Sequence, residues 1–187
     1  MQNNKKFFIT TFYKCFSFEQ IKLLENLLKR QFKKLKIVGT VILTPEGINS
    51  TIASQNLVSL KKGIALIEKY CGNLETKNSI SDKQPFKKLK IKSRQEIVPS
   101  GKNLRIDNYQ GKYVDPEDWH DFISHNDVQT IDVRNEYEIE VGTFKNSISP
   151  NTKNFREFNK YIIDNKKLLK RKKIAIFCTG GVRCEKA

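Results

Sequence analysis

An α+β domain of split β-α-β pattern, followed by an α/β domain with a parallel sheet, is the architecture predicted by this 187-residue sequence. Three observations carry the prediction. Elements in the first half follow the order β-α-β-β-α-β, the ferredoxin-like arrangement. Residues 94–112, "RQEIVPSGKNLRIDNYQGK", then lose all periodicity. The second half ends on "KIAIF", Lys173 to Phe177, a continuous apolar run of the kind buried on both faces of a parallel sheet.

Taken in order, "FFITTFY" (7–13) is β-branched and aromatic and reads as a strand. Ser17 and Gln20 have capping-box spacing and open a helix, whose Ile21, Leu24, Leu28, Phe32 and Leu35 recur at helical intervals. "IVGTVIL" (37–43) is a second strand, "TPEGIN" a turn punctuated by Pro45 and Gly47, and "STIA" (50–53) a third strand. Leu57, Leu60, Ile64, Ile67 and Cys71 share one face of a second helix that Gly72 is suited to end. "KLKIKS" (88–93) alternates like a strand with one wet face. The boundaries expected are a first domain over 1–95, a linker over 96–112 and a second domain over 113–187. In the second domain Asp115 and Pro116 open a helix with Trp119, Phe122 and Ile123 as its buried side. "QTIDV" (129–133) is a short strand, "NEYEIEV" a helical turn, and 151–170 a helix. Loops at the C-terminal ends of such strands are where ligands usually bind.

Composition narrows the class. The chain is 38% hydrophobic and 29% charged, as expected of a soluble globular protein. No window is apolar for long enough to span a bilayer, and the N-terminus lacks the apolar core and cleavage site of a signal peptide. Cys15, Cys71, Cys178 and Cys184 form no C-x-x-C pair, which argues against a zinc knuckle and a disulfide framework and points to the reducing cytoplasm. Net charge is +15, unevenly spread: residues 1–100 hold 19 Lys/Arg against 7 Asp/Glu, and residues 101–187 hold 16 against 13. A basic first half suggests a polyanionic partner, nucleic acid first; lysine-rich compositional bias is the plainer explanation.

The chemistry gathers at "CTGGVRC", Cys178 to Cys184. Cys178 follows directly on the apolar strand, and a helix is expected to begin near Cys184. Backbone N–H groups of Thr179, Gly180, Gly181 and Val182 and a helix N-terminus then converge on one spot. Gly180 and Gly181 permit positive φ, and Arg183 adds fixed positive charge. Each feature favours thiolate over thiol. A buried structural thiol is the ordinary state of a free cysteine, but the strand-Cys-four-residue-Arg arrangement favours a nucleophile. Cys184 is either a resolving thiol or a small helix residue. Cysteine phosphatases place five residues between Cys and Arg, usually with His before the Cys; here there are four, and Phe177 precedes. The shorter loop is sized for one sulfur atom rather than a phosphate.

This loop looks like a rhodanese active-site loop. "IDVRNEYEIEVGTF" (131–144) resembles the rhodanese segment D-x-R-x-x-x-E-[YF]-x-x-G-H-[IF] through Asp132, Arg134, Glu138 and Gly142, with Thr143 in place of the usual His and Ile139 where an aromatic is common. Arg134 and Glu138 are expected to pair and orient the turn facing the cysteine loop, in supporting roles with Asp132. "TFYKCF", "PEGINSTI", "LKIKSRQEIV" and "GKYVDPEDWHDF" resemble, in this order, the bacterial TrhO (YceA-like) tRNA uridine hydroxylases, over nearly the whole chain. That resemblance implies an acylphosphatase-like first domain joined to a rhodanese domain. It implies hydroxylation of the tRNA wobble uridine to 5-hydroxyuridine, with molecular oxygen as co-substrate and Cys178 as the active-site residue. It also implies tRNA as partner, held through the basic first half. Glu46 and Asn49 in "PEGIN" are candidate substrate-side residues, against hairpin chemistry alone.

No other cofactor is evident, and His120 and His125 propose no metal site. No protein partner is inferable. By the resemblance the rhodanese domain continues past Ala187 with a helix, a strand and a final helix, so the domain is expected to be incomplete in this chain. Two other functions stay open: a generic sulfurtransferase working through a Cys178 persulfide, and a catalytically inactive RNA-binding fragment.

Overall fold

A computed structural model describes residues 6–101 and 111–187. The chain divides into two compact units, Met1–Ile97 and Val98–Ala187. Residues 102–110, most of the expected linker, lie outside the described residues.

The first unit carries β1 (Phe7–Cys15), α1 (Ile21–Lys34), β2 (Val38–Thr44), β3 (Gly47–Ser54), α2 (Leu57–Cys71), β4 (Lys77–Ser81) and β5 (Leu89–Ser93). Its strands form one mixed sheet in the order β4-β1-β3-β2-β5. β1 runs antiparallel to β3 and β4, β2 runs antiparallel to β3, and β5 lies parallel to β2. α1 buries Leu24, Leu28 and Phe32 at four-residue steps, all with zero exposure. They pack with Val41, Leu43, Ile48, Ile52, Leu60 and Ile67 into one core. Each such side chain contributes on the order of 2 kcal/mol of burial.

Two local expectations change. The split β-α-β order holds, but its last strand is Lys77–Ser81 beside β1, not "KLKIKS". The latter is a fifth strand on the opposite edge. "KNSIS" is polar and mostly exposed along its length, so no hydrophobic pattern announces it. The first helix begins at Ile21 with Gln20 at its cap and no side-chain cap bond, so Ser17 does not cap it. For α2, Asn56 accepts the Ser59 N–H at 3.0 Å, and Gly72 ends the helix at φ 69°. Gly47 closes the β2–β3 turn at φ 129°, where a Cβ would stand 2.0 Å from the Lys14 carbonyl oxygen, so only glycine fits.

The second unit holds α3 (Pro116–Ser124), β6 (Val128–Asp132), α4 (Glu136–Ile139), α5 (Phe155–Leu169), β7 (Lys173–Phe177) and a 3₁₀ turn at Cys184–Lys186. β6 and β7 pair in parallel with Asp132 opposite Phe177, and Ile148 adds a parallel bridge to Ile131. Phe155 and Phe158 bury the inner face of α5. No residue of α3 is fully buried; Trp119, Phe122 and Ile123 are half-buried. "KIAIF" also departs from expectation. Only Ala175 is buried, and Ile174 is exposed, because among the described residues the strand has one neighbour, β6.

Candidate active site

Parallel pairing of β6 with β7 places two sequence motifs side by side. Asp132 ends one strand and Phe177 the other, opposite each other, and the Val133 N–H donates to the Phe177 carbonyl at 3.0 Å. The segments that leave the sheet there begin with Arg134 and Cys178.

The cysteine loop turns back on its own sulfur. Gly181 adopts φ 91°, and its N–H donates to Cys178 Sγ at 3.0 Å. The Cys184 thiol hydrogen-bonds the same sulfur, with backbone N–H groups of Cys184, Gly180 and Arg183. These donors outweigh desolvation, which works the other way, and hold Cys178 well below an ordinary thiol, at about 5. The hydrogen bond to Cys178 and burial push Cys184 far upward, so it remains the protonated donor. Gly180 has no positive φ, and only Gly181 uses the conformational freedom expected of both. The helix expected near Cys184 is a single 3₁₀ turn.

Arg183 reaches the sulfur but spends its fork elsewhere. Its Nη1 and Nη2 donate to the two Glu138 carboxylate oxygens at 2.6 and 2.7 Å, with both side chains mostly buried. Thr179 Oγ1 donates to Glu138 Oε1 at 2.7 Å, and the Asn135 N–H to Oε2 at 3.2 Å. The Arg183 bond, first among these, holds Glu138 down at about 2. The expected Arg134–Glu138 pair does not form. Arg134 grips Asp132 instead, with Nε 2.9 Å from Oδ1 and Nη2 2.7 Å from Oδ2, and donates to the Gly142 carbonyl at 2.6 Å. Asp132 has no exposure, and burial alone would raise its pKa. Hydrogen bonds from Arg134 and Thr143 reverse that, leaving it lowered. Thr143 Oγ1 lies 2.7 Å from Asp132 Oδ2, so the residue that departs from the rhodanese pattern has a defined donor role.

Phe177, in the place of the phosphatase histidine, packs its ring 4.8 Å from Phe144 and 6.2 Å from Trp119, under the Arg134 guanidinium at 5.6 Å. Sequence spacing gives no sign of this cluster, because the three aromatics come from separate elements. Val182 is half-buried in the loop. Glu46 and Asn49 belong to the first unit. Glu46 Oε2 accepts the Ile97 N–H at 2.8 Å, and Asn49 sits in β3 opposite Tyr13 and Ile42. Among the described residues no cluster of three His, Cys, Asp or Glu is placed to hold a metal, and no helix is long and apolar enough to cross a membrane.

Fold and loop together define the class: an acylphosphatase-like domain with a mixed sheet, followed by an α/β unit that presents Cys178 where its two parallel strands end. Residues 7–97 match the family model described as "UPF0176 acylphosphatase like domain". A tRNA uridine(34) hydroxylase from Picosynechococcus sp. is 45% identical over 98% of this chain and 62% of its own length. Proteins of the same name from Rickettsia massiliae and Rickettsia rickettsii are 41% identical over 92% of this chain and 72% of theirs. The chain belongs to the tRNA uridine(34) hydroxylase family. It spans under two thirds of the cyanobacterial relative it matches. An acylphosphatase from Coxiella burnetii aligns to 49% of this chain at 8% identity and a TM-score of 0.34, too slight a likeness to carry weight.

Proposed function

We propose that this chain contributes to hydroxylation of the tRNA wobble uridine to 5-hydroxyuridine, with Cys178 as its reactive group. One observation carries the reading: an activated thiolate at the end of β7, in a chain that aligns over nearly all its length with proteins named for that reaction. Residues 1–95 are the acylphosphatase-like domain, 96–112 the linker, and 113–187 part of a rhodanese domain. Thr179 to Cys184 form the sulfur cradle. Glu138 positions Arg183, while Asp132 and Arg134 brace the neighbouring turn. Glu46 and Asn49 are kept as substrate-side candidates. The basic first half holds tRNA, molecular oxygen is the oxidant of the family reaction, and the cytoplasm is the compartment.

The test is mass spectrometry of tRNA from a host lacking the activity, with and without this gene. A rise in 5-hydroxyuridine that Cys178→Ser abolishes is the expected result. No rise counts against the reading and favours a non-catalytic RNA-binding fragment.

The cradle favours a second reading. Several N–H donors and one thiol surround a single sulfur, which also suits a sulfur carrier. The thiolate would attack the outer sulfur of thiosulfate, forming the Cys178 persulfide and releasing sulfite with the bonding pair. Intact mass after thiosulfate treatment should then rise by one sulfur atom, except in Cys178→Ser.

A further inference from the structure

The first unit has a groove of about 650 Å³ between the C-terminal half of α1 and the edge strand β5. Six lysines line it: Lys29, Lys33 and Lys36 from the helix side, and Lys88, Lys90 and Lys92 from the strand side. Among the described residues, no acidic residue does. The nearby carboxylate, Glu25, is buried and already engaged, with Lys29 at 2.5 Å and the Ser93 hydroxyl at 2.6 Å. It therefore ties helix to strand while cancelling only one of the six charges. Among the described residues, none of the other five lysines has a carboxylate partner.

Two features set this groove apart from an ordinary solvated face. Lys88, Lys90 and Lys92 are exposed while Leu89 and Ile91 between them are partly buried against the core, so the three lysine side chains leave β5 on its opposite, outward face at ~6.6 Å per step. That is close to the spacing of successive phosphates in a nucleic-acid strand. Lys36 sits at φ 52°, just past α1, where the Ile37 N–H closes back on the Phe32 carbonyl at 2.9 Å. Glycine is the least strained residue at such a helix end. A long cationic side chain held there, facing a groove of other lysines, points to a use for the charge.

We propose that this groove binds the phosphodiester backbone of RNA. The inference rests on the tRNA-modification reading above and assigns its RNA contact to named residues. The groove's one aromatic ring, Phe32, has no exposure. Among the described residues, no ring is available there for bases to stack on, and no Asn, Gln or Arg lines the groove to read base edges. Recognition is therefore of the backbone: insensitive to sequence and steeply dependent on salt.

The rival explanation is that lysines on β5 merely guard an open sheet edge against pairing with another chain. Three variants of the full 187-residue chain separate the two. Binding to an unmodified tRNA transcript is measured by fluorescence anisotropy across a salt series, with circular dichroism to check folding. In K88E/K90E/K92E, glutamates still guard the edge but repel phosphate. K61E/K62E/K69E makes the same change in net charge on α2, away from the groove. K36G relieves the positive-φ position and removes one groove charge.

The expected result is at least about tenfold weaker binding for the β5 triple variant, with a log K against log salt slope flatter by about 2–3. The α2 triple should show a clearly smaller loss, and K36G weaker binding with an undiminished melting temperature. Equal losses in both triple variants, or none in the β5 triple, overturn the groove while leaving the tRNA reading intact. Failure of the unaltered chain to bind tRNA at any salt overturns both. If the β5 triple does not fold, K36G decides: folded with unweakened binding, it overturns the groove.

Discussion

The carboxylate of Glu138 holds both terminal nitrogens of Arg183, at 2.6 and 2.7 Å, across 45 residues of sequence. The pair links the turn after β6 to the loop after β7, and Thr179 closes the same network. Arg183 is the last residue before the thiol that donates to Cys178, so the position of that donor depends on Glu138.

Glu138→Gln should lower the acid sensitivity of the folded chain. The carboxyl's pKa falls from an ordinary 4.5 to about 2 on folding. Its contribution is therefore present above pH 4.5 and is lost as pH drops toward 2. Allowing for solvent screening, the amount is about 2 kcal/mol. Urea titrations at pH 7 and pH 3 should show the difference between wild type and variant shrinking at the lower pH.

Cys178 should alkylate with a midpoint near pH 5, read by peptide mass after brief iodoacetamide treatment. Cys71 is an internal control: burial pushes its thiol up to about 11, so it stays unmodified at neutral pH. Cys184→Ala removes the largest stabilising contact of the thiolate and should raise the Cys178 midpoint by a unit or more, about tenfold in thiolate population. An unchanged midpoint would mean that the backbone donors alone hold the charge.

Gly181→Ala tests the loop itself. Alanine at φ 91° is strained by about 1–3 kcal/mol. Relaxing that strain turns the residue-181 N–H away from the sulfur. Alkylation of Cys178 should shift to higher pH, whereas Gly180→Ala, at a position with open space and no positive φ, should shift it much less.

Thr143→Val should cost about 1.5–3 kcal/mol, the worth of a hydrogen bond to a charged group, since it takes a donor from fully buried Asp132. Asp132→Ala should cost more, about 3–5 kcal/mol, because it strands Arg134 beside Phe177. Thermal melts of the two variants rank these effects.

Some of this was legible in the linear chain. Apolar side chains at helical spacing placed α1 and α2, and β-branched runs placed β1, β2 and β3, because local periodicity reports which face of an element is buried. The motif "CTGGVRC" marked the loop that turns back on Cys178 for a similar reason: the donors to that sulfur are neighbouring backbone N–H groups. β4 was hidden. A polar edge strand is held by main-chain hydrogen bonds to β1, which leave no mark on side-chain type.

Ion pairing was equally hidden. Arg134 and Glu138 stand at helical spacing and read as partners, yet each bonds elsewhere. At the start of α4 the Asn135 N–H donates to the Glu138 carboxylate, which stays turned toward the β7 loop and its Arg183, while Arg134 pairs with Asp132. The sequence by itself determined which residues carry charge and which cysteine stands at a strand end. Only the tertiary structure decided which carboxylate meets which arginine, because the parallel pairing of β6 with β7 brings together groups that are 45 residues apart.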